Sequence, residues 1–211
     1  MRKSISLMVL ATSLFMLGCP ASENKGKGVK ADVKADAKSD VKSDVKADVK
    51  AGGIAFSGEG SKIEFTGSKP GGKHDGGFKT FTGSIELTGN DVATAKINVD
   101  IDTDSLYSDD PKLTGHLKAP DFFNVKSNPK ATFQSKSVAV KDAGHEITGD
   151  LTLLGKTKSI TFPAKLEATA DAVKINGEFK IDRTDFGMTY GKGKVDDAVT
   201  IKINVNASRK K

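Results

Sequence analysis

Apolar residues recur at every second position in eight successive segments, and this alternation limits the chain's possible folds more than any other feature. The first four runs are Ile63, Phe65 and Gly67; Phe81, Gly83, Ile85 and Leu87; Ile97, Val99 and Ile101; and Ala131, Phe133 and Ser135. The next are Ile147, Gly149, Leu151 and Leu153; Ile160, Phe162, Ala164 and Leu166; Val173, Ile175, Gly177, Phe179 and Ile181; and Val199, Ile201, Ile203 and Val205. A period of two is the signature of β-strands. The residues between are mostly Lys, Thr, Asp, Glu and Asn, so each strand shows one face to water, as antiparallel sheets do. Gly89-Asn90-Asp91 and Asp142-Ala143-Gly144 suit hairpin connections. Eight such strands can close into a barrel wide enough for one small ligand, and a two-sheet sandwich is the alternative. The long interruption at 102–130 holds a helix start at Asp110-Pro111, and Lys112 to Lys118 can make two turns with Leu113 and Leu117 on one side.

The alternation begins after Gly53, which divides the 211 residues into a signal at 1–18, a tract at 19–53 and one domain at 54–211. The formal charge of +6 is spread over all three parts: residues 54–211 hold 23 Lys or Arg against 21 Asp or Glu. That near-neutrality argues against a nucleic-acid partner. Met1-Arg2-Lys3 followed by an apolar run from Ile5 to Leu17 reads as a secretory signal, since the run falls short of the ~20 residues that span a bilayer. It ends in Phe15-Met16-Leu17-Gly18-Cys19, which resembles the lipobox of bacterial lipoproteins and implies acylation of Cys19 with palmitate-class chains. Two or three chains, at about 0.8 kcal/mol per buried methylene, would anchor the chain in the membrane for good. Pro20 occupies the place where an aspartate would retain a lipoprotein in the inner membrane, so the expectation is an envelope protein facing the periplasm, with the outer membrane favoured.

From Val29 the tract repeats Val-Lys-Ala-Asp. Lys30, Lys34 and Lys38 fall four apart, as do Asp32, Asp36 and Asp40, so like charges would repel along a helix. A disordered linker is expected, with a root-mean-square span of ~30 Å and a full reach of ~110–120 Å.

Sites for chemistry are scarce. Asp100, Asp102 and Asp104 imitate a calcium loop, but Ser105 and Pro111 stand where its glycine and glutamate belong. His74, His116 and His145 lack metal-ligand spacing, and the single Cys19 excludes a cysteine-cluster metal site and an internal disulfide. No Gly-x-Ser-x-Gly elbow occurs. No cofactor and no enzymatic activity are expected.

Three stretches together resemble one family. They are His116-Leu117-Lys118-Ala119-Pro120-Asp121-Phe122-Phe123-Asn124-Val125 continuing to Asn128-Pro129-Lys130-Ala131-Thr132-Phe133, then Gly149-Asp150-Leu151-Thr152-Leu153-Leu154-Gly155-Lys156-Thr157-Lys158, then Phe179-Lys180-Ile181-Asp182-Arg183-Thr184-Asp185-Phe186-Gly187. They are similar, in order, to motifs of the YceI-like bacterial proteins. The resemblance implies an extended lipocalin-like antiparallel barrel holding an isoprenoid or other amphiphilic lipid; with the strands and helix start read above, the expected fold is all-β, an eight-stranded antiparallel barrel with one short helix. A homodimer is left open. The first hairpin, Gly71 to Gly83, departs from the family pattern.

A long apolar channel with a polar headgroup needs donors at its rim. Candidate donors are His74, Lys79, His116 and Arg183, and candidate pocket aromatics are Phe78, Phe81, Phe122, Phe123 and Phe186. Arg183 stands out in a lysine-rich domain because its planar fork suits fixed geometry. A structural pair with Asp185 or Asp121 is its alternative role, and core packing is the alternative for the phenylalanines. The rival to a lipid carrier is an envelope-stress or interaction protein whose barrel is filled by its own side chains.

Overall fold

The computed structural model describes residues 53–209; the expected signal, Cys19 and the linker lie outside the described residues. Eleven strands form one antiparallel sheet: β1 (Ile54–Ser57), β2 (Lys62–Lys69), β3 (Gly72–Phe78), β4 (Phe81–Thr88), β5 (Asp91–Asp102), β6 (Leu106–Ser108), β7 (Lys130–Lys141), β8 (Gly144–Leu153), β9 (Lys156–Ala168), β10 (Ala172–Asp182) and β11 (Ala198–Ser208). Their spatial order is β1-β4-β5-β7-β8-β9-β10-β11-β2-β3-β6. All eight alternating segments are strands. The other three, β1, β3 and β6, are short or glycine-rich and show no alternation in the sequence.

The sheet curls into a half-barrel, and among the described residues no ladder joins its edge strands β1 and β6. Side chains hold the curl together elsewhere. Asn206 donates from its amide to Gly60 O at 2.8 Å, and Arg209 donates to Gly89 O at 2.8 Å and Asn90 Oδ1 at 3.0 Å. The helix α1 (Pro111–Lys118) begins as expected: Asp110 Oδ1 accepts from the backbone N–H of Lys112 at 2.7 Å and Leu113 at 3.2 Å. Leu106, Leu117 and Phe122 form a small cluster with Phe65, Phe78, Leu113 and Phe123, which ties α1 to β2, β3 and β6.

Alternation packs the inward residues into one core in which Ile85, Ile147, Val173, Ile175 and Phe186 are fully buried. Some inward positions must be glycine. A Cβ at Gly149 would lie 2.5 Å from the Phe133 ring and 2.6 Å from the carbonyl of Gln134. Gly149→Ala is therefore expected to destabilise the protein by about 1–3 kcal/mol, the usual cost of overpacking; a urea midpoint unchanged from the parent would contradict this.

Candidate functional site

Inside the curl lies a cavity of about 380 Å³, within the ~300–1,000 Å³ range of ligand pockets. The walls carry aliphatic and aromatic side chains from β5, β8, β9, β10 and β11, among them Val99, Leu151, Ile160, Phe179, Ile201 and Ile203. Polar side chains enter the lining at one end. Ser68, Lys69 and His74 come from the β2–β3 hairpin, His116 from α1, and Arg183, Tyr190 and Asp196 from the β10–β11 connection.

Two histidine–aspartate pairs flank this mouth. His74 Nδ1 lies 2.9 Å from Asp109 Oδ1, and His116 Nε2 lies 3.0 Å from Asp121 Oδ2. The His116 ring meets Phe122 edge-on at 5.0 Å and Tyr190 at 4.8 Å, so the three rings form one aromatic corner. Tyr190 is nonetheless 48% exposed.

Asp109 also accepts from the backbone N–H of Asp75 at 3.1 Å. The bond with His74, and then that backbone bond, hold its carboxyl below the ordinary carboxylate range. A carboxylate depressed in the folded state stabilises above its unfolded value of about 3.9, and that contribution disappears as pH falls through the lower folded value. The side-chain carboxyl resonance of Asp109 should therefore titrate with a midpoint below the ordinary carboxylate value. His74→Ala should raise that midpoint toward the ordinary value; a midpoint unmoved by the substitution would contradict the assignment.

Of the sequence candidates, His74, Phe78, His116, Phe122, Phe123 and Arg183 line the cavity. Three do not. Phe81 and Phe186 are sealed in the core, and Lys79 projects from the outer side, with its ammonium 5.7 Å from the centre of the Tyr107 ring. Phe78, the last residue of β3, lines the cavity, whereas Lys79 lies in the bend that follows the strand and is exposed.

Arg183 touches the cavity but is 4% exposed, and its fork is occupied. Nε donates to Asp196 O at 3.0 Å, and one terminal nitrogen donates to Met188 O at 2.6 Å and Tyr190 O at 2.8 Å. The other donates to Val195 O and Asp197 Oδ1, both at 3.1 Å. These five bonds match its five N–H groups, so it has none left for a headgroup. Its acidic partner is Asp197, not Asp185 or Asp121. Its work is to pin the loop that presents Tyr190. Sequence reasoning missed Tyr190, Lys69 and Asp196 at the mouth; the only hint was a single aromatic within Gly187-Met188-Thr189-Tyr190-Gly191.

Among the described residues, no group of three or more His, Cys, Asp or Glu could hold a metal ion.

Residues 54–207 match the model of the YceI-like domain. Proteins named YceI from Salmonella arizonae and Salmonella newport are 34% identical over 142 residues, covering 64% of this chain and 74% of theirs. Among solved structures, Burkholderia cenocepacia BcnA superposes with a TM-score of 0.65 at 25% identity, covering 72% of this chain and 99% of that one. A Campylobacter jejuni YCEI protein gives 0.56 at 27% identity, covering 64% and 85%. A polyisoprenoid binding domain from Saccharophagus degradans, 15% identical, gives 0.59 over 74% and 99%, a likeness of fold.

Proposed function

Since the chain belongs to the YceI-like family, and its curled sheet encloses an apolar cavity with a polar rim, we propose that it binds an isoprenoid-like or other amphiphilic lipid. The observation that carries this reading is the segregation within one cavity: hydrocarbon along the walls, hydrogen-bonding groups at one mouth. Such a chamber suits a molecule with a long tail and a small polar head, and it disfavours a barrel filled by its own side chains. The polyisoprenoid binding domain of Saccharophagus degradans, similar in fold, is consistent with the same class of ligand.

Tail length follows from the energetics. Micromolar affinity needs about 8 kcal/mol net, association costs at least ~4 kcal/mol, and each buried methylene supplies about 0.8 kcal/mol. A tail of roughly 15 carbons or more meets that requirement. The protein's role is to hold the lipid, with no reaction of its own.

We assign the cellular place to the lipobox-like Cys19: the acylated thiol moors the domain to the envelope on the periplasmic side, and the outer membrane is favoured by Pro20. The mass of the mature chain tests this. Two or three acyl chains on Cys19 are expected, and a bare cysteine would overturn the anchor. All-trans-retinol, a fluorescent isoprenoid, tests the cavity: titration should saturate at one molecule per chain, and no binding would overturn the lipid reading.

A further inference from the structure

Two ladders in the wall of the half-barrel are short: β5–β7 holds five pairs, from Asn98 opposite Gln134 to Asp102 opposite Lys130, and opens away from the mouth, whereas β9–β10 opens toward it. Among the described residues, the ladder between β9 and β10 is confined to four pairs, from Val173 opposite Ala168 to Asn176 opposite Lys165. Beyond them the facing edges at 156–164 and 177–182 run on without partners toward the mouth. Each strand is fully paired on its other side: β9 with β8 from Lys156 to Ala164, and β10 with β11 along its whole length. The split is therefore a seam between two well-held strands, unlike a frayed end.

Local chemistry keeps the seam from zipping. A Cβ on Gly177 would lie 3.2 Å from the carbonyl oxygen of Pro163, which places that oxygen on the side facing β10. In a strand the N and C=O of one residue point to the same side, and proline brings no N–H. The next rung, Pro163 opposite Glu178 if the register continued, cannot be completed. Continuing the register also sets Phe162 opposite Phe179, and their rings are stacked 4.1 Å apart at 16°. Phe162, Phe179, Ile160 and Ile181 all line the cavity, so the seam opens straight into it.

We infer that the seam between β9 and β10 is the lateral portal through which a lipid tail enters and leaves the cavity, with the Phe162–Phe179 stack as its plug. This rests on the lipid-binding reading above. A tail threaded end-on must drag each methylene past His74, His116 and Tyr190. A tail entering sideways keeps its head at the mouth, where the seam ends, and swings in after one stack parts. Parting these strands above Asn176 breaks no ladder hydrogen bond, in contrast to β8–β9 or β10–β11.

The test pins the seam. In the full chain carrying Cys19→Ser, Thr161→Cys and Lys180→Cys place thiols on opposite outer edges, to be joined by oxidation or by a short bis-maleimide. Stopped-flow fluorescence with all-trans-retinol then reads uptake and release. Joining should slow both by about tenfold or more, and reducing the oxidised form should restore them in the same sample. Phe179→Ala should quicken both, and Tyr190→Ala at the mouth should change them less. Rates indifferent to joining, or governed by Tyr190 and not by Phe179, would overturn the portal while leaving lipid binding intact. No retinol uptake by the parent chain would overturn the lipid reading and the portal with it.

Discussion

Replacing Arg183 by methionine should lower stability by about 3–5 kcal/mol, the range seen when one partner of a buried ionic network is removed. The side chain closes a circle: it leaves the end of β10, collects the carbonyls of Met188, Tyr190, Val195 and Asp196, and reaches the carboxylate of Asp197 just before β11. Methionine matches much of its volume but donates nothing, and each buried carbonyl left without a partner costs about 1–3 kcal/mol. The loop would be expected to recover some of this by turning carbonyls to water. Lysine should rescue little, because one compact ammonium cannot reproduce a planar fork spread over residues 188–197. The damage should extend to binding, since the same loop presents Tyr190 to His116 and Phe122. Urea unfolding and a retinol titration on the same samples check both. A loss under about 1 kcal/mol would mean the loop is held by other contacts.

Ile201→Trp should weaken retinol binding by about a hundredfold, equivalent to roughly three or four displaced methylenes. Ile201 lines the cavity and lies between Phe65 of β2 and Phe179 of β10 in the register. An indole there would project into open volume. The usual cost of enlarging a core residue, about 1–3 kcal/mol, should therefore be largely offset by new contacts with the walls. Lost affinity with stability held is the expected pairing. Affinity equal to the parent's would place the ligand outside the cavity.

How far the sequence reveals this architecture depends on which residues carry the signal. The eight long strands are visible because burial on one face forces alternation, and α1 because Asp110 and Pro111 mark its start. β3 escapes because its Gly72-Lys73-His74-Asp75-Gly76-Gly77-Phe78 has almost no alternating apolar face. Packing supplies the missing logic: a Cβ at Gly76 would meet the ring of Phe65 on the neighbouring strand. β1 and β6 are too short to show a period. At the site, His74, His116 and the Phe122-Phe123 pair could be picked out as residue types suited to a rim. Lys79 lies in a bend just past β3, where no alternation marks which way a side chain turns. Arg183 was recognisable as unusual, but its carbonyl partners are backbone groups of a folded loop, which no side-chain pattern encodes. The seam at Pro163 is half legible, since proline inside an alternating run marks an interrupted ladder.

The central claim is that the cavity holds a lipid tail, and the most direct measurement is mass spectrometry of an organic extract of the full chain purified from a bacterial envelope. The account predicts one long-chain amphiphile per protein, sharply reduced in Ile201→Trp purified alongside. A parent extract without such a species, or one equally rich from the blocked variant, would contradict it.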